Sequence, residues 1–220
     1  METPLQQDRF VKNFFKSLTR SKPTKVRACP SWDLSLVLRA LTNKPFEPLE
    51  ESSLKHVTLK TAFLVAIASA RRVSDLQALS IREPFPTVFD DRIILRTDPS
   101  FLPKVASTFH RTQDIILPTL FSSSDDDEGE FLSLLDVKRN ILFYLEITKE
   151  FRLCDSLFVN FSGARKGHRT SKSSIARWLR MLIVEAYQIG GREPPIVKAH
   201  FTRAVAVSWA ESRSLPGGDL

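Results

Sequence analysis

Between Thr58 and Ala70, a stripe of small and apolar residues recurs at helical spacing: Leu59, Ala62, Phe63, Ala66, Ile67 and Ala70. Residues three and four apart share one face of a helix, so the pattern predicts an amphipathic helix capped by Thr58. The stripe is small as well as apolar, which places this helix in the middle of a domain. Seven glycines in 220 residues are too few for a turn-dense β fold or a Gly-rich phosphate loop. With 42% hydrophobic and 26% charged residues in 25.0 kDa, the chain can bury one core of ordinary size, which excludes wholesale disorder.

The remaining pattern arranges other elements around that helix. Ser31 offers an N-cap, and Asp33 a first-turn carboxylate, for a helix running to about Leu41, with Pro45 and Pro48 ending it. Val88-Phe89 and Ile93-Ile94-Leu95, joined by Asp90-Asp91, read as two short strands and a tight turn. Asp114 to Leu117 reads as a third strand. Leu132 to Lys149 and Ser171 to Ile189 read as helices, the second with Ile175, Trp178, Leu179, Leu182, Ile183 and Ala186 as its apolar face. Between them lie the apolar run Leu157-Phe158-Val159 and the basic loop Arg165 to Arg169. The fold class is therefore mainly α with a small antiparallel β-sheet (α+β). Ser21 to Pro30 is basic and carries Pro23 and Pro30, so residues 1–30 read as a linker region and 31–220 as the domain. Phe10 to Lys16 is either the end of a helix or a connector.

Charge is unevenly distributed. The net charge of +7 divides into +6 over residues 1–44, −5 over 45–150 and +6 over 151–220. Much of the central acid sits in Asp125-Asp126-Asp127-Glu128 with Glu130. Basic ends suit either a polyanion, such as nucleic acid or an anionic surface, or simple solvation. No apolar stretch approaches the ~20 residues that span a bilayer, and the first ten residues do not form a secretory signal, so no membrane role is expected. Cys29 and Cys154 cannot build a disulfide framework or a Cys-rich zinc site. The four histidines, His56, His110, His168 and His200, fall on separate segments, so no metal is expected. Gly-x-Ser-x-Gly elbows and Walker loops are absent, and no small-molecule cofactor is expected.

Three features carry chemistry. In Arg71-Arg72-Val73-Ser74-Asp75-Leu76 a buried-looking helix ends in two arginines, and Ser74 can cap a short following helix. Arg72 at that junction either presents a planar fork to a phosphate or complements the helix dipole. In Lys198-Ala199-His200-Phe201-Thr202-Arg203, His200 and Arg203 lie side by side on a helix. Lys104 sits on the loop between the second and third predicted strands, where a lysine either reaches a ligand or faces solvent.

Taken in order, these features resemble the tyrosine recombinase family, the phage-integrase type of DNA breaking and rejoining enzyme. Arg72-Val73-Ser74-Asp75-Leu76 resembles the family's first arginine segment, with Asp75 in place of glutamate. Lys104 matches its hairpin lysine, and His200 and Arg203 match its His-x-x-Arg box. Pro30 to Leu34, Thr58 to Leu64 and Lys198 to Ala206 look like integrases of DIRS-like, Ngaro-type retrotransposons. The resemblance implies a catalytic-domain-like fold over about Pro30 to Ala210. In it Arg72 and Arg203 hold the phosphate's non-bridging oxygens, His200 assists, and Lys104 protonates the leaving 5′ oxygen. It further implies backbone contacts from Arg71, Arg165, Lys166 and Arg169, with the acidic run at Asp125 facing away. Double-stranded DNA and other recombinase protomers become the expected partners, and the nucleus or cytoplasm the expected location.

The sequence departs from the family in one respect. The family's nucleophilic tyrosine follows the His-x-x-Arg box, whereas Tyr144 and Tyr187, the two tyrosines here, precede it. The expectation is a domain incomplete at its C-terminus, with residues 1–30 as an N-terminal remnant, that binds DNA without cleaving it. The alternative is a non-enzymatic helical protein-interaction module with no DNA role.

Overall fold

The computed structural model describes residues 32–102, 114–119 and 127–197, together with the helical positions Thr202 and Val205. Helix α1, Leu34–Ala40, is capped by Asp33, whose carboxylate accepts the Leu36 N–H at 3.1 Å. The predicted cap, Ser31, lies outside the described residues. Helix α2, Leu54–Ser69, begins earlier than the stripe predicts. Its cap is Ser53, which accepts the His56 N–H at 3.3 Å, while Thr58 is buried one turn inside and donates to the Leu54 carbonyl at 2.7 Å. The reason is that every residue from Val57 to Ala66 is buried, so no polar face marks the helix's edge.

A six-residue helix α3, Val73–Ala78, leads into the sheet. Its strands are β1 Leu79–Ser80, β2 Thr87–Val88, β3 Arg92–Thr97 and β4 Ile115–Pro118. Strand β3 pairs antiparallel with β1, β2 and β4, with Leu79 opposite Thr97, Val88 opposite Ile93, and Ile93 opposite Leu117. Alternation sends Ile93, Leu95, Ile115 and Leu117 into the core and leaves Ile116 exposed. The predicted strands are present, and β1 is an addition: two residues carry no periodicity to read.

The helix predicted over Leu132 to Lys149 is two helices, α4 Asp127–Leu134 and α5 Val137–Thr148. Asp136 divides them, because its carboxylate accepts the Arg139 N–H at 2.6 Å and starts a new helix. Helix α6, Lys172–Ile189, spans the predicted range, with Ser171 accepting the Ser174 N–H at 3.0 Å. All six residues of its predicted apolar face are buried. Helix α6 packs on α1, α2 and α3, and α5 packs on α2. The observed class is mainly α with a small antiparallel sheet. Among the described residues, no helix is long and apolar enough to cross a membrane.

One charged cluster lies inside this core. Lys60 of α2 is fully buried and bonds Glu47, which precedes the short turn Leu49–Glu51. Arg139 of α5 holds the same carboxylate with two bonds, of 2.7 and 3.1 Å. Burial pulls the Lys60 ammonium down to about 8, against the pull of Glu47. Burial also works against ionisation of Glu47, but bonds and charge from Arg139 and Lys60 together hold its carboxyl below the ordinary range.

Candidate nucleic-acid interface

Helix α2 stops at Ala70, which adopts a left-handed conformation (φ 48°) that costs a non-glycine residue roughly 1–2 kcal/mol. The Ser69 hydroxyl fastens the end by donating to the Val65 carbonyl at 2.6 Å and accepting the Arg71 N–H at 3.4 Å. The chain is thereby turned sharply at the two arginines, leaving Arg71 half-buried and Arg72 exposed. Arg72 itself occupies the cap position of α3, in place of Ser74. Asp75 accepts the Arg72 N–H at 3.3 Å, and Ser74 donates to the same carboxylate at 3.1 Å. A carboxylate there satisfies a free N–H and suits the positive end of the helix. The Arg72 guanidinium makes no hydrogen bond or ion pair with any described residue.

The second basic segment is a hairpin. Val159 bridges Arg169, the Gly167 N–H donates to the Asn160 carbonyl at 2.9 Å, and the Asn160 N–H donates to that of His168 at 2.9 Å. The Asn160 amide also donates to His168 and Arg169 carbonyls at 3.1 and 3.2 Å. Arg165, Lys166, His168 and Arg169 are exposed, with the Lys166 ammonium 4.4 Å from the centre of the Phe151 ring.

The fold brings this hairpin to α3. Gln77 donates to the Thr170 carbonyl at 3.3 Å, and the Arg169 guanidinium donates to the Gln77 carbonyl at 3.5 Å. Arg72 thus opens a helix that is about 9 Å long at 1.5 Å per residue, and Arg169 sits at its close. Asp98 lies within electrostatic reach of Arg169. Asp98 is held below the ordinary carboxylate range chiefly by bonds from the Ser100 hydroxyl and N–H, with Arg82 and Arg169 adding to them. A neighbouring cleft of about 250 Å³, lined by Arg82, Asp98, Asp155 and Arg169 among others, carries the Arg82–Asp155 ion pair at 3.1 Å.

Of the expected phosphate-binding residues, the structure describes Arg72. Lys104, His200 and Arg203 lie outside the described residues, as do Asp125 and Asp126. Of the expected backbone contacts, Arg71, Arg165, Lys166 and Arg169 are all described, and none forms an ion pair with a described carboxylate. Sequence reading missed Gln77, Asn160 and Gly167, which build the junction. The one available signal was a glycine set inside a basic run. Among the described residues, no group of three or more His, Cys, Asp or Glu side chains is placed to hold a metal.

Both tyrosines are core residues. The Tyr144 hydroxyl accepts the Val159 N–H at 3.1 Å, and burial raises its pKa. The Tyr187 hydroxyl accepts the Asp33 N–H at 2.6 Å. Tyr144→Phe leaves the buried Val159 N–H without an acceptor, so urea denaturation should show a loss of about 1–3 kcal/mol.

No protein-family model matches the chain, and no curated protein matches it. Among solved structures, the chain is similar to the crystal structure of a lambda integrase(75-356) dimer bound to a COC' core site, at 15% identity and a TM-score of 0.39. That match covers 92% of this chain and 62% of the other, so this chain spans less than two thirds of that structure's length.

Proposed function

We propose that the protein binds double-stranded DNA through its phosphates as a tyrosine recombinase-like domain of mobile-element origin, and that these 220 residues do not cleave it. The observation that supports this reading is the meeting of two sequence-distant basic segments across one short helix. Arg72 stands at the start of α3 without a side-chain partner among the described residues, and Arg169, with Arg165 and Lys166 beside it, docks at its end. Guanidinium groups carried at the two ends of one short helix suit the dense phosphates of a duplex, which carries one charge per ~1.7 Å of axis. In this reading His200 and Arg203 complete the phosphate pocket and Lys104 approaches the leaving oxygen. No metal or nucleotide takes part, and other protomers are the natural protein partners, one of which can supply a tyrosine in trans.

The position of the two phenols supports the reading that these residues do not cleave DNA. A nucleophile has to reach the scissile phosphorus, and Tyr144 and Tyr187 are buried and bonded to the backbone. A suicide-substrate assay should therefore give no covalent DNA adduct, and an adduct on either tyrosine overturns the assignment. In mobility shifts, Arg72→Ala with Arg203→Ala should weaken binding on every duplex sequence. Unchanged binding in that double variant removes the phosphate pocket and favours a protein-interaction module.

A further inference from the structure

At the N-terminus of α2, three side chains form a hydrogen-bonded chain that DNA binding does not use. The Ser53 hydroxyl lies 2.8 Å from His56 Nδ1, and His56 Nε2 lies 2.8 Å from Glu185 Oε1 on α6. A carboxylate oxygen accepts, so in the neutral imidazole Glu185 takes the Nε2–H and Nδ1 is left to accept the Ser53 hydroxyl hydrogen. Lys55 bonds the other Glu185 oxygen at 3.2 Å, which supports the carboxylate's charge. Phe46 packs against the imidazole in a T-shaped contact, with ring centres 5.3 Å apart, and further restricts its orientation.

The order nucleophile, base and orienting carboxylate is that of an activated serine, built without the Gly-x-Ser-x-Gly elbow that a sequence search looks for. Ser53 is exposed, whereas the His56 and Glu185 side chains are 17% and 24% accessible. Donors for a developing oxyanion follow at once. His56 N–H goes to the Ser53 hydroxyl and Val57 N–H to the Ser53 carbonyl. The preceding N–H groups, of Leu54 and Lys55, are the first donors of a sixteen-residue helix and have no partner within that helix.

We propose that Ser53 is a nucleophile acylated by small activated esters and regenerated by water. Ser53 Oγ attacks the carbonyl carbon while its proton passes to His56 Nδ1. The carbonyl oxygen gathers negative charge facing the Leu54 and Lys55 N–H groups. The carbon–oxygen bond to the alcohol then breaks, and the departing oxygen takes the proton from His56. Water, deprotonated by the same nitrogen, attacks the acyl-serine; the carboxylic acid leaves and Ser53 recovers its proton. Ser53 and His56 are the catalytic residues, and Glu185 is a positioning residue.

The test treats the full chain with a fluorophosphonate probe and with p-nitrophenyl acetate. Peptide mass mapping should place the probe on Ser53. Release of p-nitrophenol should fall about 10²-fold in Ser53→Asn and in His56→Gln, the size of a general-base contribution. Ser53→Asn keeps a capping oxygen, so α2 and the fold are retained. The ¹⁵N shifts of the His56 ring should report the Nε2–H tautomer and lose it in Glu185→Leu, which removes the acceptor. A folded protein that takes no probe at Ser53 overturns the proposal, as does Ser53→Asn hydrolysing the ester at the wild-type rate.

Discussion

Glu47→Ala should destabilise the protein by about 3–5 kcal/mol, the usual cost of removing one partner from a buried ion pair. Lys60 is fully buried and has its bond to Glu47, and Arg139 places both of its bonds on the same carboxylate. Without Glu47 the buried Lys60 cation and the half-buried Arg139 cation face each other with nothing between them. Lys60→Met should cost much less, because Glu47 keeps its paired bonds from Arg139 and one buried charge disappears with its desolvation cost. Urea denaturation of both variants measures the difference, and equal losses would show that Glu47 does not bridge the cluster.

The same lysine makes stability depend on pH with a definite sign. Its folded value is about 8, below the ordinary lysine value of 10.5. Between those limits the unfolded chain holds the proton and the folded protein does not, so this contribution makes stability rise with pH. Below about pH 8 both states are protonated and the contribution is flat. Glu47 acts at the other end, since its carboxyl is held low in the fold. Its stabilisation is present above the ordinary carboxylate range and lost as pH falls through the folded value. Denaturation between pH 8 and 10.5 should show a rising component in the wild type that Lys60→Met lacks.

Gly167→Ala is the second large effect expected, at roughly 3 kcal/mol or more. An added Cβ would stand 1.9 Å from the Phe151 carbonyl oxygen, a backbone atom that cannot rotate aside, and φ is +82°. The Gly167 carbonyl also accepts the Leu153 N–H at 2.9 Å, so movement of the glycine costs a further bond. Gly163→Ala, in the same hairpin at φ +73° with nothing within 4 Å, should cost only the left-handed strain of about 1–2 kcal/mol. Thermal melts of the two variants separate steric crowding from backbone strain. Similar melting temperatures would contradict the close approach at Phe151. Because Gly167 holds Lys166 and Arg169 in place, its variant should also lose DNA affinity under conditions where it stays folded.

The sequence shows best what periodicity reports. Helix α6 is legible from Ser171 to Ile189 because its outer face is polar and its inner face is apolar. The start of α2 is not, since its first turn, Leu54 to His56, is partly exposed and carries Lys55 and His56, which resemble a polar boundary, while burial on every side from Val57 to Ala66 leaves no contrast. The break at Asp136 is hidden for the opposite reason: apolar spacing continues across it, and one carboxylate bonding one N–H decides it. The site follows the same division. Arg72 can be picked out by its neighbours in sequence, but Gln77 and Thr170, which bring Arg169 to it, stand 93 residues apart. No local pattern encodes that contact. The Lys60–Glu47–Arg139 cluster and the Ser53–His56–Glu185 chain were invisible for the same reason, each needing elements that only the fold brings together.

The most direct measurement is the salt dependence of DNA affinity, by fluorescence anisotropy on a labelled duplex between about 50 and 200 mM salt. Each phosphate contact contributes roughly 0.9 to the slope of log K against log salt. Arg72→Ala and Arg169→Ala should each lower that slope by about 1 and weaken binding on specific and random duplexes alike. A wild-type affinity insensitive to salt, or slopes unchanged in both variants, would contradict DNA binding through the α3 junction.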